Sequence, residues 1–138
     1  MDSWTGHQSI TSTALLNLFG RAAKGDAVFT PGERTLVTLS EFWAAARTGS
    51  LLDFLERDTA SRLRDARAAF VVIGAAQVIG ILNRAIGEHA LAPTEQLRRH
   101  CIMGLQDRLC ITDEPIDLMI AGLARTCLAD GWRGPAGV

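Results

Sequence analysis

A chain of 138 residues, 48% hydrophobic and 21% charged, has the size and composition of one globular domain that can bury a core without metal or disulfides. Fourteen Lys and Arg against fifteen Asp and Glu leave a net charge of −1, which argues against bulk attraction to nucleic acid and equally against a strongly acidic surface. Lys24 is the single lysine among those fourteen cations, a skew of coding bias rather than a nucleic-acid signature.

Helical periodicity dominates and strand alternation is nearly absent. A first helix is expected over residues 8–24, with Ile10, Leu15, Leu18 and Phe19 or Ala22 on one side and Gly25-Asp26 as its stop. Thr30-Pro31-Gly32-Glu33 is the strongest local signal. Thr30 can cap, Pro31 suits the first helical position, and Glu33 completes a capping box three residues on. Leu36, Leu39, Trp43 and Ala46 then recur at helical spacing, with Phe42 and Trp43 as core or core-edge residues, until Gly49 ends the helix. Ser50 and Asp53 look like a second cap, opening a short helix with Leu51, Phe54 and Leu55 apolar.

Thr59 is expected to cap the next helix, striped by Leu63, Ala66, Phe70 and Ile73 and closed by a turn at Gly74. Val78, Leu82, Ala85 and Ile86 mark the following one, and His89 and Pro93 bracket the loop after it. The apolar run over residues 68–82 is shorter than the ~18 residues of a membrane span and is interrupted by Gln77 and two glycines, so it reads as a buried hairpin. Leu97, Cys101, Leu105 and Leu109 give another stripe. Pro115 opens the last helix, with Asp113 and Glu114 near its positive end and Ile116, Met119 or Ile120, Leu123 and Cys127 inward. Gly131 stops it and 131–138 is expected to fray. The expected fold is an all-α, single-domain bundle of about six to seven short helices over residues 1–138.

No catalytic, cofactor-binding or metal-binding residue is expected. Zinc needs clustered Cys and His, whereas His100-Cys101 are adjacent and point about 100° apart on a helix. Cys101, Cys110 and Cys127 sit in apolar-periodic segments and read as buried, reduced thiols, consistent with a cytoplasmic protein. The opening MDSWTGHQSI has neither a basic n-region nor an apolar h-region, so no secretory signal is expected. The glycines lie at helix ends rather than in a phosphate-cradling loop. Asp113 and Glu114 read as capping residues, and His7, His89 and His100 are isolated. Acids and bases alternate over residues 53–67, as on an exposed face with scattered ion pairs. Trp4 and Trp132 near the ends could pack together or mark a contact surface.

The stretch FTPGERTLVTLSEFWAAARTGSLLDFL, followed by IGAAQVIGILNRAI, resembles the bacterial DNA mimic protein 19 family over residues 29–88. Thr48-Gly49-Ser50-Leu51 fall where that family has an Asn-Gly-Gly-Phe turn. Asp53 falls at its glutamine, Phe54 and Leu55 at its aromatic pair, and Ile73-Gly74-Ala75 at its Ile-Gly-Ala step. Ala45 stands where the family has a glutamate. The resemblance implies an all-helical, non-enzymatic protein that acts by binding another protein. The family is known through an acidic dimer that imitates DNA and occupies a repressor, and relatives beside toxin genes make a neutralising role plausible. Imitating a duplex needs about one negative charge per ~1.7 Å of axis, which fifteen acids offset by fourteen bases do not supply. What carries over is partner binding rather than DNA mimicry.

The expected function is therefore a regulatory, inhibitory or toxin-neutralising module that binds a protein partner, with a homodimer compatible. Gly49 and Gly74 are structural turns, and Glu41, Arg47, Asp53, Glu56 and Arg57 would form the polar rim of a groove beside the Gly49 turn. The alternative is a DNA-binding regulator using Arg98, Arg99 and Arg108. A third reading, an enzyme, would need distant residues such as His89, Asp53 and Glu41 to converge.

Overall fold

The computed structural model describes residues 30–129. The helix expected over residues 8–24, the tail from Gly131, His7, Trp4 and Trp132 lie outside them. The described residues form six α-helices and a closing π-helical turn, with no strand among them: α1 (Pro31–Thr48), α2 (Leu51–Leu55), α3 (Thr59–Ile73), α4 (Ala76–Leu91), α5 (Glu95–Cys110), α6 (Ile116–Ala124) and the turn Arg125–Ala129. The fold is all-α, as expected.

Two compact units emerge, and α1 contributes residues to each. The larger comprises residues 38–116. Its core takes Leu39, Phe42 and Ala46 from α1, Leu51 and Leu55 from α2, Leu63, Ala66 and Phe70 from α3, Val78, Leu82 and Ala85 from α4, and Ile102, Leu105 and Leu109 from α5. Phe42 meets Phe54 and Phe70 edge-on, with ring centroids 6.4 and 5.8 Å apart, the arrangement aromatic quadrupoles favour. α4 packs against both α3 and α5, and α2 against α3 and α5.

The other unit is described over residues 30–37 and 117–129. Its helix start carries the expected capping box. Thr30 Oγ1 accepts from the Glu33 amide at 3.2 Å, and Glu33 Oε1 accepts from the Thr30 amide at 3.1 Å. Leu36, Ile120 and Ala124 are buried there. Gly32 allows a close approach: a Cβ on it would lie 2.8 Å from Cys127 Sγ.

The two predicted glycine turns are present. Gly49 has φ +77° and Gly74 φ +70°, the left-handed region where a side chain is strained. At Gly74 the chain closes α3, with the Ala75 amide donating to Phe70 O at 3.2 Å.

Several local readings are corrected. Ser50 occupies the cap position of α2 but makes no capping hydrogen bond. Its hydroxyl pairs instead with Thr48 Oγ1 at 2.9 Å, and Gln106 Oε1 from α5 accepts from the Leu51 amide at 2.9 Å. Asp58, not Thr59, is the cap residue of α3, and the Thr59 hydroxyl donates back to Leu55 O at 2.7 Å. Glu114, expected to serve the last helix, caps α4: its Oε1 accepts from the Val78 amide at 2.9 Å. Gln77 Oε1 returns the favour, accepting from Thr112 Oγ1 at 2.8 Å and from the Asp113 amide at 3.3 Å. His89 belongs to the last turn of α4 rather than to the loop.

The α5 stripe is rotated from expectation. Ile102, Leu105 and Leu109 are buried, whereas Leu97 is 48% exposed and Cys101 half-buried. Successive four-residue steps each advance about 40° around a helix, so a stripe drawn from 97 through 101 and 105 to 109 drifts by roughly 120°. The thiols are not buried as expected: Cys110 is exposed, and Cys101 and Cys127 are half-buried.

Candidate partner-binding surface

All five residues of the expected rim are exposed, but they do not border one groove. Glu56 and Arg57 lie where α2 turns into α3. There they share a cleft of about 310 Å³ with Asp58, Arg98 and Arg99, and with the apolar Leu52 and Ile102. Glu41 lies in a second cleft, of about 280 Å³, with Asp58, Arg62 and Asp65. Within it the Arg62 guanidinium stacks over the Phe54 ring at 4.8 Å. Arg47 lines a third, of about 270 Å³, with Trp43 and Cys110. Asp53 is on the outer side of α2 and lines none of these.

The α2–α3 corner can be built upward from the sequence. Leu51 and Leu55 anchor the short helix in the core, which turns Leu52 and the polar 56–58 segment outward. Gln106 fixes the start of α2 to α5, so the corner faces α5. Arg98 is held by two bonds: its Nε meets Glu95 Oε2 at 3.4 Å and its Nη1 donates to Ala92 O at 3.1 Å. The cleft thus juxtaposes both signs of charge over a small apolar floor and is not a basic stripe.

The residues of the other readings are distributed differently. Of the three arginines proposed for DNA, Arg98 and Arg99 are in the corner cleft. Arg108 is in a separate groove between α4 and α5, where its Nη1 reaches Glu88 Oε1 at 3.5 Å. His89 lines the corner cleft, Glu41 the second cleft, and Asp53 neither, so the three do not converge. Among the described residues no cluster of three His, Cys, Asp or Glu could hold a metal ion, and no helix is long and apolar enough to cross a membrane.

The α4–α5 groove was missed by sequence reasoning. It encloses about 430 Å³, and its edges carry Leu91, 84% exposed, and Leu97. Leu97 looked like an ordinary stripe residue in sequence and Leu91 was not singled out, so the signal that they stay outside was not legible. Hydrogen bonding from Arg84, reinforced by the charges of Arg84 and Arg108, holds the Glu88 carboxyl below the usual range against a smaller desolvation effect. Burial, with the nearby Glu88 charge, pushes the Cys101 thiol up, only partly offset by Arg108.

This architecture defines a small protein of short packed helices. Within that class the chain belongs to the DMP19-like protein family, whose model matches residues 27–118. The match runs from just before α1 through α5 and so includes both the corner and the α4–α5 groove. No curated protein and no solved structure matches the chain.

Proposed function

We propose that the chain is a non-enzymatic binding module that regulates, inhibits or neutralises a partner protein by occupying it. The observation that carries this reading is the α2–α3 corner, where Glu56, Arg57 and Asp58 stand exposed beside Arg98 and Arg99 over Leu52 and Ile102. Apolar patches rimmed by mixed charge suit protein contacts, and exposed charge pairs there set specificity and association rate. Family membership supports the same reading. A homodimer is compatible with it, and the cytoplasm is the compartment in which free thiols persist.

The test is affinity capture of the tagged chain from its native lysate with and without nuclease, followed by binding measurements on the captured partner. A stoichiometric protein that survives nuclease is expected. Charge reversal at Arg57 (Arg57→Glu) should then weaken binding by roughly tenfold with little change in melting temperature, and Asp53→Lys should do the same if the rim extends along α2. Unchanged affinity in both variants would remove this corner as the contact surface.

The alternative, a DNA-binding regulator, rests on Arg98, Arg99 and Arg108. Arg98 and Arg108 already hold Glu95 and Glu88, which weakens it. It requires steeply salt-dependent binding to duplex DNA, and no gel retardation at low salt would eliminate it.

A further inference from the structure

The groove between α4 and α5 is separate from the α2–α3 corner and differs in chemistry. One end is apolar, formed by Leu91 and Leu97 where the two helices join. Cys101 and Gly104 follow along α5, and a Cβ added to Gly104 would meet nothing within 4 Å, so the middle of the groove is open space. The Cys101 thiol, raised by burial, remains protonated at neutral pH and adds no charge to this stretch.

The other end is ionic and asymmetric. Glu88 is held by Arg84, one turn earlier on α4, with Nε to Oε2 at 3.2 Å. Arg108 reaches the second oxygen, Oε1, through Nη1 alone and at 3.5 Å. Glu88 therefore keeps a charged partner if Arg108 turns away. A guanidinium offers five N–H donors in a fork matched to a carboxylate, and Arg108 commits one of them to this long contact. Two arginines against one glutamate leave this end with an excess positive charge beside an apolar trough.

We propose that the α4–α5 groove is a binding site for a small apolar carboxylate, its hydrocarbon body lying along Leu91, Leu97 and Cys101 and its carboxylate on Arg108. The groove volume of about 430 Å³ falls among those of small-molecule sites, and a few polar groups, here Glu88, His100 and Arg108, in an otherwise apolar lining are their usual composition. An amine of the same shape is disfavoured, because it would meet the Arg108 guanidinium, and Glu88, the carboxylate in the lining, is already held by Arg84 from outside the groove. The site is independent of the partner surface at the α2–α3 corner.

The experiment is a titration of the full chain with sodium decanoate below its micelle concentration, followed by isothermal calorimetry and by amide shifts of α4 and α5. Decylamine and decanamide serve as the cationic and neutral controls. Saturable one-to-one binding of decanoate is expected, with the cation not bound. Arg108→Gln should weaken it by roughly tenfold or more, the scale of a lost charge-assisted hydrogen bond. Gly104→Phe should fill the groove and abolish it, and Gly104→Ala provides a smaller obstruction if the larger one disturbs folding. Absence of saturable decanoate binding overturns the proposal. So does equal binding of all three probes with no effect of Arg108→Gln, which would mark non-specific adsorption to Leu91 and Leu97.

Discussion

Two glycines of the larger unit should respond in opposite ways to an added side chain. Gly49 sits at φ +77°, where a Cβ is strained, and a β-branched side chain is strained most. Gly49→Val should cost about 1–3 kcal/mol in urea denaturation. Gly80 lies inside α4 and an added Cβ would meet nothing within 4 Å. Gly80→Ala should therefore stabilise by about 0.5–1 kcal/mol, because only the helix-interior penalty of glycine is removed. Equal effects of the two substitutions would refute the left-handed turn. The three thiols also separate. The thiolate is the reactive form, and burial raises the pKa of Cys101 and Cys127, the latter with help from the Glu33 charge, so both remain largely thiols where an ordinary cysteine has begun to ionise. Cys110 is exposed. Iodoacetamide at mildly alkaline pH should label Cys110 first, as read by peptide mass spectrometry, and equal labelling at Cys101 or Cys127 would contradict the raised pKa of their thiols.

Helix ends explain both what was legible in the sequence and what was not. The start of α1 and the ends of α1 and α3 were readable because each is specified within a few residues, by Thr30 and Glu33, by Gly49 and by Gly74. The starts of α2 and α4 were not. Their acceptors, Gln106 and Glu114, come from 55 and 36 residues away, and no local pattern announces a cap supplied by another element. Ser50 stood at the right position with suitable chemistry, yet its hydroxyl is occupied by Thr48. Gln106→Ala and Glu114→Ala should each cost about 1 kcal/mol, the usual worth of a helix cap. Glu114→Gln, which keeps the acceptor oxygen, should cost less. Measured by denaturant midpoints, an Ala variant as stable as the parent would show that the long-range cap contributes nothing.

How elements come together decided the legibility of the candidate site. The all-helical fold and the family resemblance over residues 29–88 were readable because turns and periodicity are local, and the family match extends that stretch through α5. The rim was readable as exposed but not as a surface. Glu41, Arg47, Asp53, Glu56 and Arg57 are close in sequence, yet the packing of α2 against α3 and α5 distributes four of them over three clefts. The same packing brings Arg98 and Arg99, read from sequence as phosphate contacts, beside Glu56 and Arg57. If the corner is the contact surface, Arg99→Glu should impair partner binding together with Arg57→Glu, and the double variant should lose less than the sum because the two share one cleft. Independent, additive losses measured by calorimetry would place the two arginines in different contacts.

The long-range caps also bear on how the chain is made. A ribosome delivers residues in order, and domains fold as units when enough chain has emerged. The α2 amide at Leu51 has no Gln106 to donate to until more than fifty further residues have been synthesised, and α4 lacks Glu114 in the same way. Nascent chains released before residue 106 therefore carry two unfinished helix starts, and the larger unit reaches its full complement of bonds only when its last segment leaves the exit tunnel.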